Sequence, residues 1–191
     1  YSSLQGWWKL DNLTTGIQDS SGNGNNGTNN GATQVTSDVL TTQPVNGVST
    51  TLPSTALQQS DLQFDSPYSN YSLSFDGATY IDCGNDSVLT PTNGISISLW
   101  LKTSDTANYR GLIEKWSSSA GYMLHLGPTG SNQGKPVFAI GSQSDIVSST
   151  AVNDGNWHHI TVTCDNTTSY IYVDGVQTGT GSLTMSGVSN S

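Results

Sequence analysis

The chain has 191 residues, 33% hydrophobic and only 10% charged, with a formal charge of −9 and a pI near 4.2. That balance excludes nucleic acid and anionic membranes, which select basic surfaces, and no apolar run reaches the ~18 residues that membrane insertion as a helix requires. One glutamate, Glu114, stands against thirteen aspartates, and Gly, Ser, Thr and Asn abound, so a single all-β domain over residues 1–191 is expected.

A short first strand is expected at "GWWKL" (6–10), with Trp7 or Trp8 directed at the core. The loop "QDSSGNGNNGT" (18–28) follows, eleven residues of turn formers with one charge, at Asp19. Gly and Asn tolerate positive φ, so the loop can curl until its carbonyls converge on a hard cation. It can equally be a solvated turn whose Asn and Asp side chains bond their own backbone. From about 32 to 60 the sequence turns to Thr, Ser, Gln and Val without periodicity, broken by Pro44 and Pro53. A surface insertion without strands is expected there.

The pattern then sharpens. "YSLSFDG" places Leu73 and Phe75 on one face, and "TYIDCGN" does the same with Ile81 and Cys83. "GISISLWLKT" (94–103) alternates most clearly, Ile95, Ile97, Leu99 and Leu101 against Ser96, Ser98, Trp100 and Lys102. "RGLIEKW", "GYMLHLG" and "KPVFAIG" come at short intervals, and "WHHITVTCD" with "SYIYVDG" reads as a hairpin. Short alternating strands with no helix between them predict a two-sheet antiparallel sandwich. Cys83 and Cys164 fall at apolar-parity positions and are read as buried thiols, with a disulfide as the other reading.

Aromatic faces beside neutral amides and carboxylates suit neutral sugars. Tyr109, Trp116 and Tyr122 fall at predicted hairpin ends, where such a ligand platform can form. Catalytic residues are not expected: Glu114 is alone beside Lys115, and His125, His158 and His159 lack an evident Ser/His/Asp order. The Trp157-His158-His159 corner is read as structural, the indole in the core and one imidazole packed at the sheet end.

In order, "DSSGNGNNGT", "SLSFDGATYIDCGN", "ISISLWLKT", "GLIEKW", "GYMLHLG" and "NWHHITVTCDNTTSYIYVDG" resemble the laminin-G-like, concanavalin A-like jelly-roll family from about residue 6 to 175. The resemblance implies two curved sheets, often a bound calcium, and commonly glycan or protein recognition. By position it implies Asp19 as the side-chain calcium ligand, with Asn23, Asn25 and Asn26 as neighbours. Glucanases of this architecture carry two glutamates around an aspartate on one strand, which this chain lacks.

The insertion "PVNGVSTTLPSTALQQSDLQFDSPYSNYSLSFDG" is similar to segments of virion structural proteins of marine bacteriophages. That implies a virion-surface or extracellular location, on a tail fibre or capsid, with host-surface glycans or other virion proteins as partners. Family members continue past the "YVDG" hairpin into closing strands, whereas here "GSLTMSGVSNS" ends the sequence. Those strands are expected beyond residue 191, the chain being a processed product or fragment, and an open edge invites pairing, a homo-oligomer included.

Overall fold

The structure, a computed structural model, describes residues 4–10, 13–36, 71–117 and 119–188. The chain divides into two compact units, Tyr1–Asn85 and Asp86–Ser191. Most of the 32–60 insertion, from residue 37 onward, lies outside the described residues.

In the first unit, β1 (Thr28–Asn30), β2 (Thr33–Thr36), β3 (Tyr71–Ser74) and β4 (Tyr80–Asp82) form two antiparallel ribbons, β1 with β4 and β2 with β3. Two expectations are corrected here. Residues 33–36, the start of the stretch read as strandless, form β2 because Thr33 to Thr36 find partners across on Ser74 to Tyr71. Conversely, "GWWKL" is no strand: only Trp8 bridges, to Asp19. Trp7 is exposed, and the half-buried Trp8 donates its indole N–H to the Asn25 carbonyl at 2.7 Å rather than filling a core. Gly27 packs tightly: a Cβ there would sit 2.5 Å from Ile81 and 2.7 Å from Ile17. Phe75 follows the end of β3 and is exposed.

The second unit is the expected sandwich. Its strands are β5 (Ile95–Lys102), β6 (Arg110–Ser117), β7 (Ala120–Leu126), β8 (Pro136–Ile140), β9 (Ile146–Val147), β10 (Trp157–Cys164), β11 (Ser169–Val173) and β12 (Val176–Gly181). They form two antiparallel sheets ordered β12-β11-β10-β5 and β6-β7-β8-β9. Ile97, Ile160, Val162, Ile171 and Val173 from the first sheet meet Leu124, Leu126, Phe138, Ile140 and Ile146 from the second in one core. The inward parity of β5 and the β10–β11 hairpin follow the sequence pattern, Ile160 to Cys164 pairing with Val173 to Ser169. All five residues of β8 are buried, the continuous apolar run of a strand covered on both faces. After β12 the chain buries Leu183 and Met185 in the core and makes a 3₁₀ turn at Met185–Gly187. Both cysteines are free, Cys164 buried and Cys83 half-buried.

Candidate functional site

Aspartates dominate the charge of this chain, and the structure assigns most of them to turns. Asp19, Asp76, Asp82, Asp86, Asp105, Asp154 and Asp165 each accept the backbone N–H two residues ahead. This is the short-range bond that makes Asp a turn former. The acidity of the sequence therefore reflects turn chemistry first. Among the described residues no three His, Cys, Asp or Glu side chains gather where they could hold a metal ion.

The Asp19 loop shows what such a carboxylate does. Its Oδ1 accepts the Trp7 and Ser21 N–H groups at 2.9 Å each, and its Oδ2 accepts the Ser21 hydroxyl at 2.8 Å and the Asn25 N–H at 3.0 Å. Burial pushes this carboxyl up, but the hydrogen bonds from Trp7, Ser21 and Asn25 outweigh it and hold the group below its ordinary range. Asn26 Oδ1 accepts the Asp19 N–H, while Asn23 and Asn25 turn their Nδ2 groups to the Gln5 carbonyl. Gly22 and Gly24 supply the positive φ that closes the curl. Calcium takes six to eight oxygens. Here both carboxylate oxygens and the Asn26 amide oxygen accept protein donors, and Asn23 and Asn25 tie the loop to the Gln5 carbonyl, which makes it a hydrogen-bonded corner.

The residues with the most open chemistry gather at one end of the sandwich, where β5, β7 and β11 end and β6, β8, β10 and β12 begin. The 103–109 loop is tied down from several sides. Gly155 N–H donates to the Thr103 carbonyl at 2.9 Å, Asn153 Nδ2 to the Asp105 carbonyl at 3.2 Å, and Gln133 Nε2 to the Thr106 carbonyl at 3.1 Å. Asn108 Oδ1 accepts the Thr129 N–H, and Arg110 Nε–H donates to Asp105 Oδ2, both at 2.6 Å. The Ala107 N–H foremost, and then Arg110, hold the Asp105 carboxyl below its ordinary range. From this braced loop Tyr109 projects, 65% exposed and held at φ +53°. Its ring lies 5.5 Å from that of the buried His125.

The same end carries both histidines of β10. His158 Nδ1 lies 2.8 Å from Asp174 Oδ2, and Nε2 lies 3.1 Å from Asp154 Oδ1. Burial pushes the imidazole down, but its bonds to Asp174 and Asp154 outweigh that and raise it above its ordinary value. Asp154 is held at about 2, by the Asn156 side chain and N–H first and then by His158. Asp174 Oδ1 also accepts the His159 N–H. The His159 ring lies 2.7 Å from Ser98 Oγ and 5.1 Å, centre to centre, from the half-exposed ring of Trp100.

Of the residues expected to form a ligand platform, the structure sets Tyr109 apart, while Trp116 pairs with Gly121 beside Tyr122 on β7. Tyr109 and Trp116 flank β6 at opposite ends, about 23 Å of strand apart. Tyr122 is only 7% exposed and donates its hydroxyl to the Leu89 carbonyl, so it is a core residue and cannot serve as a platform. The Asp154–His158–Asp174 clamp and Trp100 were not singled out from sequence. Trp100 had a signal, an indole at outward parity on the clearest strand. The clamp had none, since its members are brought together only by the turns.

The family described as the concanavalin A-like lectin/glucanases superfamily matches residues 75–191. Among solved structures, domain 4 of AbnA, a GH43 extracellular arabinanase from Geobacillus stearothermophilus, in complex with arabinotriose, is 18% identical at a TM-score of 0.55, covering 94% of this chain and 75% of that one. The binding domain of botulinum neurotoxin DC in complex with SialylT is 15% identical at 0.57, covering 100% of this chain and 42% of that one. A structure describing cell entry of botulinum neurotoxin type C through two ganglioside molecules matches with the same figures. The chain thus spans 42% of the length of those two toxin structures. These likenesses show the fold. No curated protein sequence matches the chain.

Proposed function

We propose, from the premise that this chain belongs to the concanavalin A-like lectin/glucanase superfamily, that it is a non-catalytic carbohydrate-recognition module whose ligand meets the loop end around Tyr109. The observation that carries this reading is the Tyr109 ring itself, exposed and backed by His125, on a loop braced by five hydrogen bonds from its surroundings. A fixed aromatic face beside Asn108, Asp105 and Arg110 offers stacking together with amide, carboxylate and guanidinium partners for hydroxyls. The same-fold arabinanase domain in complex with arabinotriose and the same-fold neurotoxin whose cell entry depends on two ganglioside molecules support the ligand class.

The absence of catalysis is part of the proposal. Glycosidases work with paired carboxylates, and the one glutamate, Glu114, lies on β6 opposite Met123. Ser98 and His159 resemble a nucleophile and base, yet the Asp174 carboxylate spends its two oxygens on the His158 ring and the His159 backbone N–H. It therefore does not orient the His159 ring. For the Asp19 loop we propose a structural corner, with calcium as the reading it competes against.

The similarity of the insertion to phage virion segments supports display on a virus particle as the setting. It equally supports a second reading, a virion packing subunit without a glycan ligand. One experiment separates them: an immobilised panel of neutral and acidic glycans, probed with calcium and with chelator. Capture by the wild type, about tenfold or more weaker for Tyr109→Ala and unchanged for Trp116→Ala, is expected. No capture, or equal capture by Tyr109→Ala, overturns the recognition reading at this loop.

A further inference from the structure

An imidazole whose two nitrogens both face carboxylate oxygens is a specific arrangement. A neutral ring carries one N–H and presents a lone pair at its other nitrogen, which one of the two carboxylates would then repel. At 2.8 Å to Asp174 and 3.1 Å to Asp154, the His158 site is built for the doubly protonated ring. The charges acting on the ring come from these two aspartates, one from the turn after β11 and one from the loop before β10. On β5, His158 faces the uncharged Leu101, and Lys102 faces Trp157. On β11–β12 the facing charge is Asp174.

What the clamp holds gives it consequence. Asp154 lies between Asn153, whose Nδ2 donates to the Asp105 carbonyl, and Gly155, whose N–H donates to the Thr103 carbonyl. Both bonds brace the loop that carries Tyr109. On its other side the clamp grips Asp174, whose second oxygen accepts the His159 N–H, next to the ring that packs, tilted, against Trp100. One ring thus links the brace behind Tyr109 to the strand segment behind Trp100.

We propose that His158 is a positioning residue for this end of the sandwich, its doubly protonated ring locking the 153–155 loop to the turn at Asp174, so that the Tyr109 loop is braced while the ring keeps both protons and slackens as rising pH removes one. Ligand binding there would weaken over the same interval, a consequence that rests on the carbohydrate reading. The coupling of ring to loop does not rest on it. Loss of the second N–H leaves a carboxylate facing a lone pair, and Asp154, half exposed, turns to water. Gly155 and Asn153 then lose their anchor.

The test is an NMR pH titration of the full chain, following the histidine ring nitrogens together with the Gly155 and Ala107 amides and Arg110 Nε–H. The His158 ring is expected to keep both protons to higher pH than a free histidine, with the three loop signals shifting at its midpoint. In Asp154→Asn, a surface change that leaves the core intact, the midpoint should fall towards the free value. In His158→Gln the loop signals should stay constant across the interval, near their high-pH wild-type positions. An ordinary midpoint for His158, or loop signals that ignore it, overturns the proposal. Failure of the glycan panel with the titration as expected would instead remove the carbohydrate reading and leave the clamp standing.

Discussion

Replacing Asp19 by alanine removes four hydrogen bonds at once, those to Trp7 N–H, Ser21 N–H, Ser21 Oγ–H and Asn25 N–H. At a partly exposed site each contributes about 0.5–1 kcal/mol, so the corner should lose about 2–4 kcal/mol. Among its described residues the first unit has little to offset this, the buried apolar ones being Ile17 and Ala32. The loss should therefore appear as local opening. Hydrogen exchange is the assay: the Trp7, Ser21 and Asn25 amides should exchange about 30-fold to 700-fold faster in Asp19→Ala, with the amides of β10 and β11 unchanged. Chelator added to the wild type should leave those three amides as they were. The reasoning fails if Asp19→Ala does not change them, and the corner reading gives way to calcium if chelator reproduces the mutant pattern. Because the folded carboxyl is held below its ordinary range, its contribution is present above the unfolded pKa. It is lost as pH falls through the folded value, so the same amides should also speed up in strong acid.

Ser169 Oγ is fully buried and, among the described residues, is the buried side-chain polar atom without a partner. Ser169→Ala should thus be neutral or stabilising by up to about 1 kcal/mol in denaturant unfolding, and a clear loss of stability would show that the hydroxyl is satisfied. His158, raised in the folded state, contributes stability that is complete below the unfolded value near ~6.5 and is lost as pH rises through the folded value. The Tm of the wild type should consequently decline on the alkaline side over an interval where that of His158→Gln is flat, and parallel curves would contradict this. Burial, and then the charges of Asp82 and Asp19, push the Cys83 thiol up to about 11. Alkylation of native Cys83 at mildly alkaline pH should accordingly run about 100-fold slower than that of a free thiol, and equal rates would refute the burial argument.

The sandwich was legible because burial on one face writes itself into a strand as period two. Ile95, Ile97, Leu99 and Leu101 gave the inward face of β5, and the β10–β11 hairpin follows "WHHITVTCD" and "SYIYVDG". Edges carried weaker signals. Thr33 to Thr36 lack alternation, and what makes them a strand is β3, which begins at Tyr71. Either Trp7 or Trp8 reads as a core residue on hydrophobicity alone, whereas Trp7 is exposed and Trp8 spends its N–H on a loop carbonyl. Tyr122 looked like a hairpin-end aromatic, but it sits one residue inside Gly121, a positive-φ position, and its ring turns into the core. The clamp at His158 depends on Asp154 and Asp174, which read as ordinary turn residues until two separate turns set them on either side of one ring.

The central claim is that the loop end bearing Tyr109 receives a carbohydrate. Resonance perturbation on adding an oligosaccharide captured by the glycan panel tests it most directly, with the described signals of both ends of the sandwich assigned. Shifts concentrated at Asn108, Tyr109, Arg110 and Thr129, and absent at Trp116, are the predicted result. Shifts centred on Trp116 or on the Asp19 loop, with Tyr109 silent, would contradict the account.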